Sequence, residues 1–242
     1  MNDPYAVAKL VLEAAGAKDS GAPLPERLCR ALTEGMPVDS ASITFLPHST
    51  ARQLLCASND QALRVEELQF EVGEGPCITA VLTDDAVTIS DLHGDLTPWP
   101  LFGTRAREEL SGIGAIYAFP LRHGHHVLGA IDMIHHEAHE LTAETIEQGK
   151  LAAQAAATVL TPLYHSMLEA GDVVLPGPDV VIEAHWGTTH LAVDVVVEQL
   201  GVTPESALAL LRARAFLQGQ PLPDLAARVL AHTNGWPYGP SS

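Results

Sequence analysis

The 242-residue chain has few cysteines and no long apolar run. Its three cysteines, Cys29, Cys56 and Cys77, form neither a CxxC pair nor a zinc-knuckle spacing, which excludes a dithiol redox motif and a disulfide-rich scaffold. The N-terminus has no basic region before an apolar core, and no stretch approaches about 18 apolar residues. We therefore expect a cytoplasmic protein in a reducing compartment, without a signal peptide or membrane span.

Basic residues are also scarce. Thirteen Lys and Arg stand against 30 Asp and Glu, which gives a net charge of −17. This charge repels polyanions and argues against broad, nonspecific nucleic-acid binding. The 47% hydrophobic and 18% charged composition is that of a folded chain with a proper core. The length fits one large domain or two smaller ones.

Residues 1–168 predict an antiparallel α+β domain. Short apolar or β-branched runs bounded by turn residues predict strands, and periodic apolar positions predict helices. The expected strands are 41–47, 53–58, 86–90, 113–121 and 126–135. The expected helices are 4–17, 25–35, a short one within 59–68, 77–83, 102–110 and 142–163, the last capped by Thr142.

The helix at 142–163 carries a stripe of small and apolar residues at three- and four-residue spacing. Such a stripe allows another helix to approach closely, either within the same domain or across a dimer interface. The pattern favours neither interpretation over the other. Its members are Ile146, Gly149, Ala153, Ala156, Leu160 and Leu163.

The remainder predicts a small all-α domain. Residues 169–178 are rich in glycine and proline and predict a linker. Three helices follow within 179–236, the first with a kink near Gly187, and 237–242 form a tail. In the second helix Thr203 is the expected N-cap, and Gly219 ends the helix. Short turns between the helices predict a three-helix bundle.

The segment FEVGEGPCITAV contains a glycine-rich turn before a helix. It lacks the Lys-Ser/Thr of a Walker loop, and Ile78 stands where a dinucleotide fingerprint requires glycine. Cys77 near a helix start fits a nucleophile, a redox-sensing thiol or a small buried residue. The turn itself requires only the conformational freedom of Gly73 and Gly75 and the fixed φ of Pro76.

Histidines cluster around 123–139. His135 or His136, together with His139 and a carboxylate, has the composition of a metal site, but neighbouring strand residues point to opposite faces. A polar hairpin turn accounts for most of them. No paired carboxylates or nucleophile–base pair stands out, so we assign no metal ligand and no catalytic residue, and expect no enzymatic activity.

The motifs FEVGEGPCITAVLTDDAVTISDL, WPLF and IYAFPLRHGHHVLGAIDM, in this order, resemble a GAF domain of the actinobacterial type over residues 5–165. The resemblance implies an antiparallel sheet with a pocket that binds small molecules in some members. It requires no cofactor and does not identify a ligand. The pocket candidates are Gly73, Gly75, Cys77, Trp99 and Phe119.

The C-terminal segment LGVT-xx-SAL-xx-LRA-x-AF followed by PLPDLA resembles an ANTAR domain over residues 178–236. The resemblance implies a homodimeric regulator that binds hairpin RNA in nascent transcripts and prevents transcription termination, with no DNA or membrane partner. A small-molecule signal at the first domain would control it. The RNA-contact candidates are His190, Ala192, Arg212 and Arg214.

Two alternatives stay open. Residues 171–242 hold three arginines and seven acids, and Asp194 replaces a glycine of the family pattern. These features fit a helical bundle that dimerises or binds protein but no longer binds RNA. A thiol enzyme built on this fold, like the methionine-sulfoxide reductases, would depend on Cys77.

Overall fold

The computed structural model describes residues 3–17, 21–46, 52–169 and 186–231. These residues form two compact units. The first unit contains the first six helices and the strands except Gln53, the first residue of the second strand. Gln53 and Arg52 fall in the second unit, together with the three C-terminal helices. Within the described ranges, no helix is long and apolar enough to cross a membrane.

Five strands and six helices form the first unit in the order ααββααβαββα. The strands are β1 Ser40–Phe45, β2 Gln53–Ala57, β3 Val87–Ile89, β4 Ala115–His123 and β5 His126–His135. The helices are α1 Ala6–Gly16, α2 Leu24–Gly35, α3 Asp60–Val72, α4 Pro76–Thr83, α5 Pro100–Glu109 and α6 Ala143–Glu169. The predicted α+β class and antiparallel sheet are confirmed.

The sheet order is β2-β1-β5-β4-β3, so the last strand of the chain lies at the centre. Strand β5 pairs antiparallel with both β1 and β4. In this register Asp132 of β5 lies opposite Ser42 of β1 and opposite Ala118 of β4. The chain therefore brings residues about 90 positions apart in sequence into cross-strand contact.

One face of the sheet is covered by α1, α2 and α6. Its core joins alternate residues of β1, β4 and β5, such as Ile43, Phe119 and Ile131, to apolar residues of the three helices. The stripe of small residues on α6 packs into this core, and a Cβ on Gly149 would lie 2.5 Å from the ring of Phe119. The stripe therefore serves packing within its own unit.

The other face is covered by α3, α4 and α5. Apolar residues of α3 and α5 pack there on Ile116 of β4 and Ile134 of β5. Helix α3 is longer than the sequence predicted because it continues through the FEV segment to Val72, and Gly73 ends it in the left-handed conformation, with φ of 75°. This C-cap requires the positive φ that glycine adopts without strain.

The turn between α3 and α4 also holds the start of α5. The side-chain Oε1 of Glu74 accepts hydrogen bonds from the backbone N–H groups of Leu101, at 2.5 Å, and Phe102, at 2.9 Å. These N–H groups belong to the first turn of α5, which has no partner for them inside the helix. Glu74 thus caps a helix about 27 residues further along the chain.

A disulfide bond joins Cys29 of α2 to Cys56 of β2, with the two Cα atoms 7.0 Å apart. Both residues are buried in the core that α2 shares with the sheet. This pairing corrects the expectation drawn from cysteine usage, in which no pair of thiols was assigned to a bond. The third cysteine, Cys77, is buried and lies outside the disulfide.

The second unit is helical, with α7 Gly187–Leu200, α8 Pro204–Gln218 and α9 Leu222–Ala231. Thr203 caps α8 by accepting a hydrogen bond from the backbone N–H of Ser206, and Gly219 ends it in the left-handed conformation. Each helix contributes buried apolar residues to the unit. The expected linker beyond Glu169 and the segments 179–185 and 232–242 lie outside the described residues.

Candidate functional site

Strand β1 is polar on one face and apolar on the other, yet both faces are buried. Ser40, Ser42 and Thr44 alternate with apolar residues that point into the α1–α2–α6 core. The hydroxyls therefore face α3 and α4 on the opposite side of the sheet. A buried polar strand face is unusual in a small domain, because each buried polar group needs a hydrogen-bond partner.

Four further side chains meet this face, and together with Ser42 they form what we call the polar cluster. All are fully or almost fully buried. The Ser42 hydroxyl donates to Glu66 Oε1 at 2.7 Å, and Gln69 Nε2 donates to Asp132 Oδ2 at 2.5 Å. The polar cluster consists of Ser42 from β1, Glu66 and Gln69 from α3, Cys77 from α4 and Asp132 from β5.

Gln69 connects the cluster to the glycine-rich turn. Its Oε1 accepts a hydrogen bond from the backbone N–H of Cys77 at 2.8 Å. A Cβ on Gly75 would lie 2.7 Å from that same oxygen, and the φ of Gly75 is 142°. Glycine is therefore required at this position for α3 and α4 to come together around Gln69.

The cluster places three potential ligand atoms close together. One carboxylate oxygen from Glu66, one from Asp132 and the Sγ of Cys77 lie within 4.8 Å of one another. Burying ionised carboxylates is costly unless they are hydrogen-bonded, paired with a cation or bound to a metal. The hydroxyl of Ser42 donates to the carboxyl group of Glu66, and the amide of Gln69 donates to that of Asp132.

The predicted pocket residues fall on both sides of the sheet. Cys77 is a member of the polar cluster, and Gly73 and Gly75 lie in the turn just before it, with Gly75 against Gln69. Trp99 lies on the same side and is largely buried, and its Nε1 donates to Thr79 Oγ1 of α4 at 2.8 Å. Phe119 points the other way, into the core against α6, so it does not share a site with Cys77.

The sequence did not identify Ser42, Glu66, Gln69 or Asp132 as site residues. One signal was present, because Asp132 interrupts the apolar strand segment GAIDMI. A buried acid within a central strand needs either a polar partner in the protein or a bound ligand. Glu66 gave no such signal, since it stands in a helix with several charged neighbours.

The residues predicted to contact RNA all lie in the second unit. Ala192 is fully buried, whereas His190, Arg212 and Arg214 are partly buried. Burial lowers the pKa of Arg212 to about 10, and the positive charge of Arg52 adds to this effect. Arg212 therefore stays protonated at neutral pH. Because Ala192 is fully buried, its position does not support the expected close approach of RNA to this residue.

The histidines at the end of β5 and just after it form a surface group. The rings of His135 and His139 stack with centroids 4.9 Å apart, and His136 Nδ1 lies 3.4 Å from Asp39 Oδ2. His136 also shares a hydrogen bond with the Gln61 side chain. His135 and His136 therefore have polar partners at the surface.

Comparison with known proteins supplies the family and the fold. A family model described as GAF domain matches residues 24–161. The GAF domain of a phosphoenolpyruvate-protein phosphotransferase from Coxiella burnetii is 16% identical with a TM-score of 0.50, and the match covers 70% of this chain and 99% of that one.

Two further solved structures are similar to this chain. The corresponding GAF domain from Acinetobacter is 10% identical with a TM-score of 0.50, and covers 72% of this chain and 100% of that one. A free methionine-R-sulfoxide reductase from Thermoplasma acidophilum is 18% identical with a TM-score of 0.40, over 63% of this chain and 96% of that one. No curated protein matches the chain.

Proposed function

Because the chain belongs to the GAF domain family, we propose that it is a signal-responsive transcription regulator. GAF domains are sensor modules in many regulators, and the first unit would take that role here. The second unit would be an ANTAR-type output that binds hairpin RNA in a nascent transcript and prevents termination. The observation that carries this proposal is the three-helix second unit, whose second helix begins and ends at the residues that the capping signals predict.

The helix ends of the second unit support the proposal in detail. Gly201 ends α7 and Gly219 ends α8, both in the left-handed conformation, and Thr203 caps α8 ahead of Pro204. Local stop and start signals of this kind fix short turns between the helices. The segment LGVT-xx-SAL-xx-LRA-x-AF therefore spans the end of α7, a short turn and most of α8.

The charges of the second unit favour α8 and α9 as the RNA-binding side. Its described helices carry three arginines, namely Arg212 and Arg214 on α8 and Arg228 on α9. The exposed acids of α7, Asp194 and Glu198, would repel phosphates there. We therefore propose phosphate contacts at the α8 arginines and none at Ala192, with His190 as a further polar contact.

An alternative function has an observation of its own. On α8, the side chains of Phe216 and Leu217 are 67% and 81% exposed, and Leu210 is also exposed. Large exposed apolar side chains of this kind are common at protein–protein interfaces. A dimerising or protein-binding module without RNA affinity is the second candidate, and a homodimer is compatible with both functions.

A thiol enzyme is the third candidate, and the arrangement of the cysteines argues against it. Cys77 lies in the polar cluster, whereas Cys29 and Cys56 lie in the core on the other face of the sheet. Thiol–disulfide exchange requires direct attack of one sulfur on another. The central sheet separates Cys77 from the disulfide, so we propose a regulator and assign no catalytic residue.

A transcription assay tests the proposed function. On a template whose transcript forms two adjacent hairpins before a terminator, we expect the full chain to increase readthrough several-fold. The double variant Arg212→Ala/Arg214→Ala should lose most of this effect, because it removes two phosphate-neutralising charges. Arg30→Ala/Arg122→Ala removes the same charge from exposed positions of the first unit and should behave like the wild type.

The outcomes separate the candidates. Readthrough that never changes with wild-type protein would contradict antitermination. If such a protein still forms dimers in sedimentation experiments, the protein-binding alternative is favoured. Equal loss of readthrough in both double variants would mean that overall charge, and not a site on α8, is responsible.

A further inference from the structure

We propose that Glu66, Cys77 and Asp132 bind a divalent transition-metal ion inside the first unit, with Zn²⁺ as the ion that this ligand set fits best. The proposal does not depend on RNA binding by the second unit. It concerns three residues from α3, α4 and β5 that the sequence did not connect. Their ligand atoms converge between the sheet and the helices that cover it.

The distances match the size of such a site. Zinc binds thiolate sulfur at about 2.3 Å and carboxylate oxygen at about 2.0–2.2 Å, so ligands around one ion lie about 3–4 Å apart. The three atoms here lie within 4.8 Å of one another. Small side-chain rotations are enough to close the set around an ion.

The chemistry of the ligands selects the class of metal. Mg²⁺ and Ca²⁺ prefer oxygen ligands alone, whereas a thiolate with two carboxylates suits a borderline ion such as Zn²⁺. Cys77 is the second residue of α4, so the positive end of that helix dipole favours a negative sulfur. A bound dication also removes the repulsion between two buried carboxylates.

The surroundings support the site in the way that known metal sites are supported. Ser42 and Gln69 each hold one oxygen of a carboxyl group, which orients Glu66 and Asp132. Hydrogen bonds of this kind to the ligands are a regular feature of metal centres. Gln69 additionally holds the backbone of Cys77, so one side chain positions two of the three ligands.

A second observation points to a ligand on the same face. The hydroxyls of Ser40 and Thr44 are fully buried, and among the described residues neither has a hydrogen-bond partner. Alternation along β1 points both in the same direction as Ser42. Three protein ligands leave a fourth position on zinc for water or a small molecule, and the face that carries the two hydroxyls adjoins the polar cluster through Ser42.

Cobalt(II) is the probe that tests the proposal, because a thiolate bound to cobalt gives a charge-transfer band in the near ultraviolet. We expect chelator-treated full chain to develop this band with one equivalent of Co²⁺ and to lose it when Zn²⁺ is added. Cys77→Ser should abolish the band, and Glu66→Gln and Asp132→Asn should each weaken the affinity at least about tenfold. Binding should also weaken at lower pH, since the ligands must lose protons.

Two controls address the other metal-binding side chains. Cys29→Ser/Cys56→Ser removes the other cysteine sulfurs, and His135→Ala/His136→Ala/His139→Ala removes the histidine group at the end of β5. Both variants should keep the band at full intensity. Wild-type protein without a band at one equivalent overturns the proposal, whatever the folding of the variants. A band that survives Cys77→Ser, or disappears in a cysteine control that keeps the wild-type circular dichroism spectrum, also overturns it.

Discussion

Replacing Gly129 with alanine is expected to lower the free energy of unfolding of the first unit by about 3 kcal/mol or more. A Cβ at this position would lie 2.0 Å from the carbonyl oxygen of Thr44 and 2.7 Å from the Cα of Phe45. Both are backbone atoms of β1, so no side-chain rotation relieves the clash. The strands must separate, and the pairing that places Ser42 opposite Asp132 is disturbed with them.

Gly16→Ala is the matched control for this change. Gly16 lies at the end of α1, and a Cβ added to it would have no other atom within 4 Å. Alanine there should leave stability unchanged or raise it slightly, since alanine favours helix. Urea denaturation followed by circular dichroism measures both variants. A loss below about 1 kcal/mol for Gly129→Ala would mean that β1 and β5 are not in this register.

Removing the disulfide is expected to cause the second largest loss of stability. Cys29 and Cys56 are 27 residues apart, and a bond that closes a loop of this size stabilises by about 3 kcal/mol, chiefly by restricting the unfolded chain. For a unit of this length the corresponding fall in Tm is about 6–12 °C. This fall in Tm should appear in the reduced wild-type protein and also in the double variant Cys29→Ser/Cys56→Ser.

The double variant also supplies the control for reduction. Adding reductant should lower the Tm of the wild type to that of Cys29→Ser/Cys56→Ser and should leave the Tm of the variant unchanged. Thermal unfolding followed by circular dichroism measures both. A wild-type Tm that does not respond to reductant, in protein whose cysteines are shown by thiol labelling to be fully reduced, would contradict the stabilising role of the bond.

Local signals predicted the first unit well wherever the chain itself carries the information. The closing hairpin β4–β5, the short helix after the GEGP turn and the Thr142 cap of α6 all followed from alternation, glycine and proline positions and capping residues. The end of α3 did not, because the segment FEV has a pattern that suits a strand or a helix. Packing against the sheet and Gly73 at its C-cap extend the helix to Val72.

The polar cluster was beyond the reach of local patterns for a physical reason. Alternation in β1 normally indicates one buried and one solvent-facing side. Here α3 and α4 cover the polar side, so Ser40, Ser42 and Thr44 are buried as fully as Ile43. Only the pairing of β1 with β5 brings Asp132 to this side, and strand order is not visible in a local pattern.

Two other outcomes depended on tertiary structure in the same way. The small-residue stripe of α6 fitted packing within its own domain and a dimer interface equally well. The close approach of Gly149 to Phe119 shows that it packs on the sheet of its own unit. This contact also removes Phe119 from the predicted pocket. Cys29 and Cys56 gave no pairing signal because their spacing matches no motif, and they meet only once α2 packs on the sheet.

The central proposal is that the second unit binds RNA, and a binding titration tests it most directly. The full chain is titrated against a dual-hairpin RNA at about 50 mM salt and then at increasing salt. We expect saturable binding whose binding constant falls with salt. In a plot of log K against log salt concentration, Arg212→Ala/Arg214→Ala should make the slope shallower by about one unit per arginine. No binding by the wild type at low salt, where electrostatic attraction is strongest, would contradict the proposal.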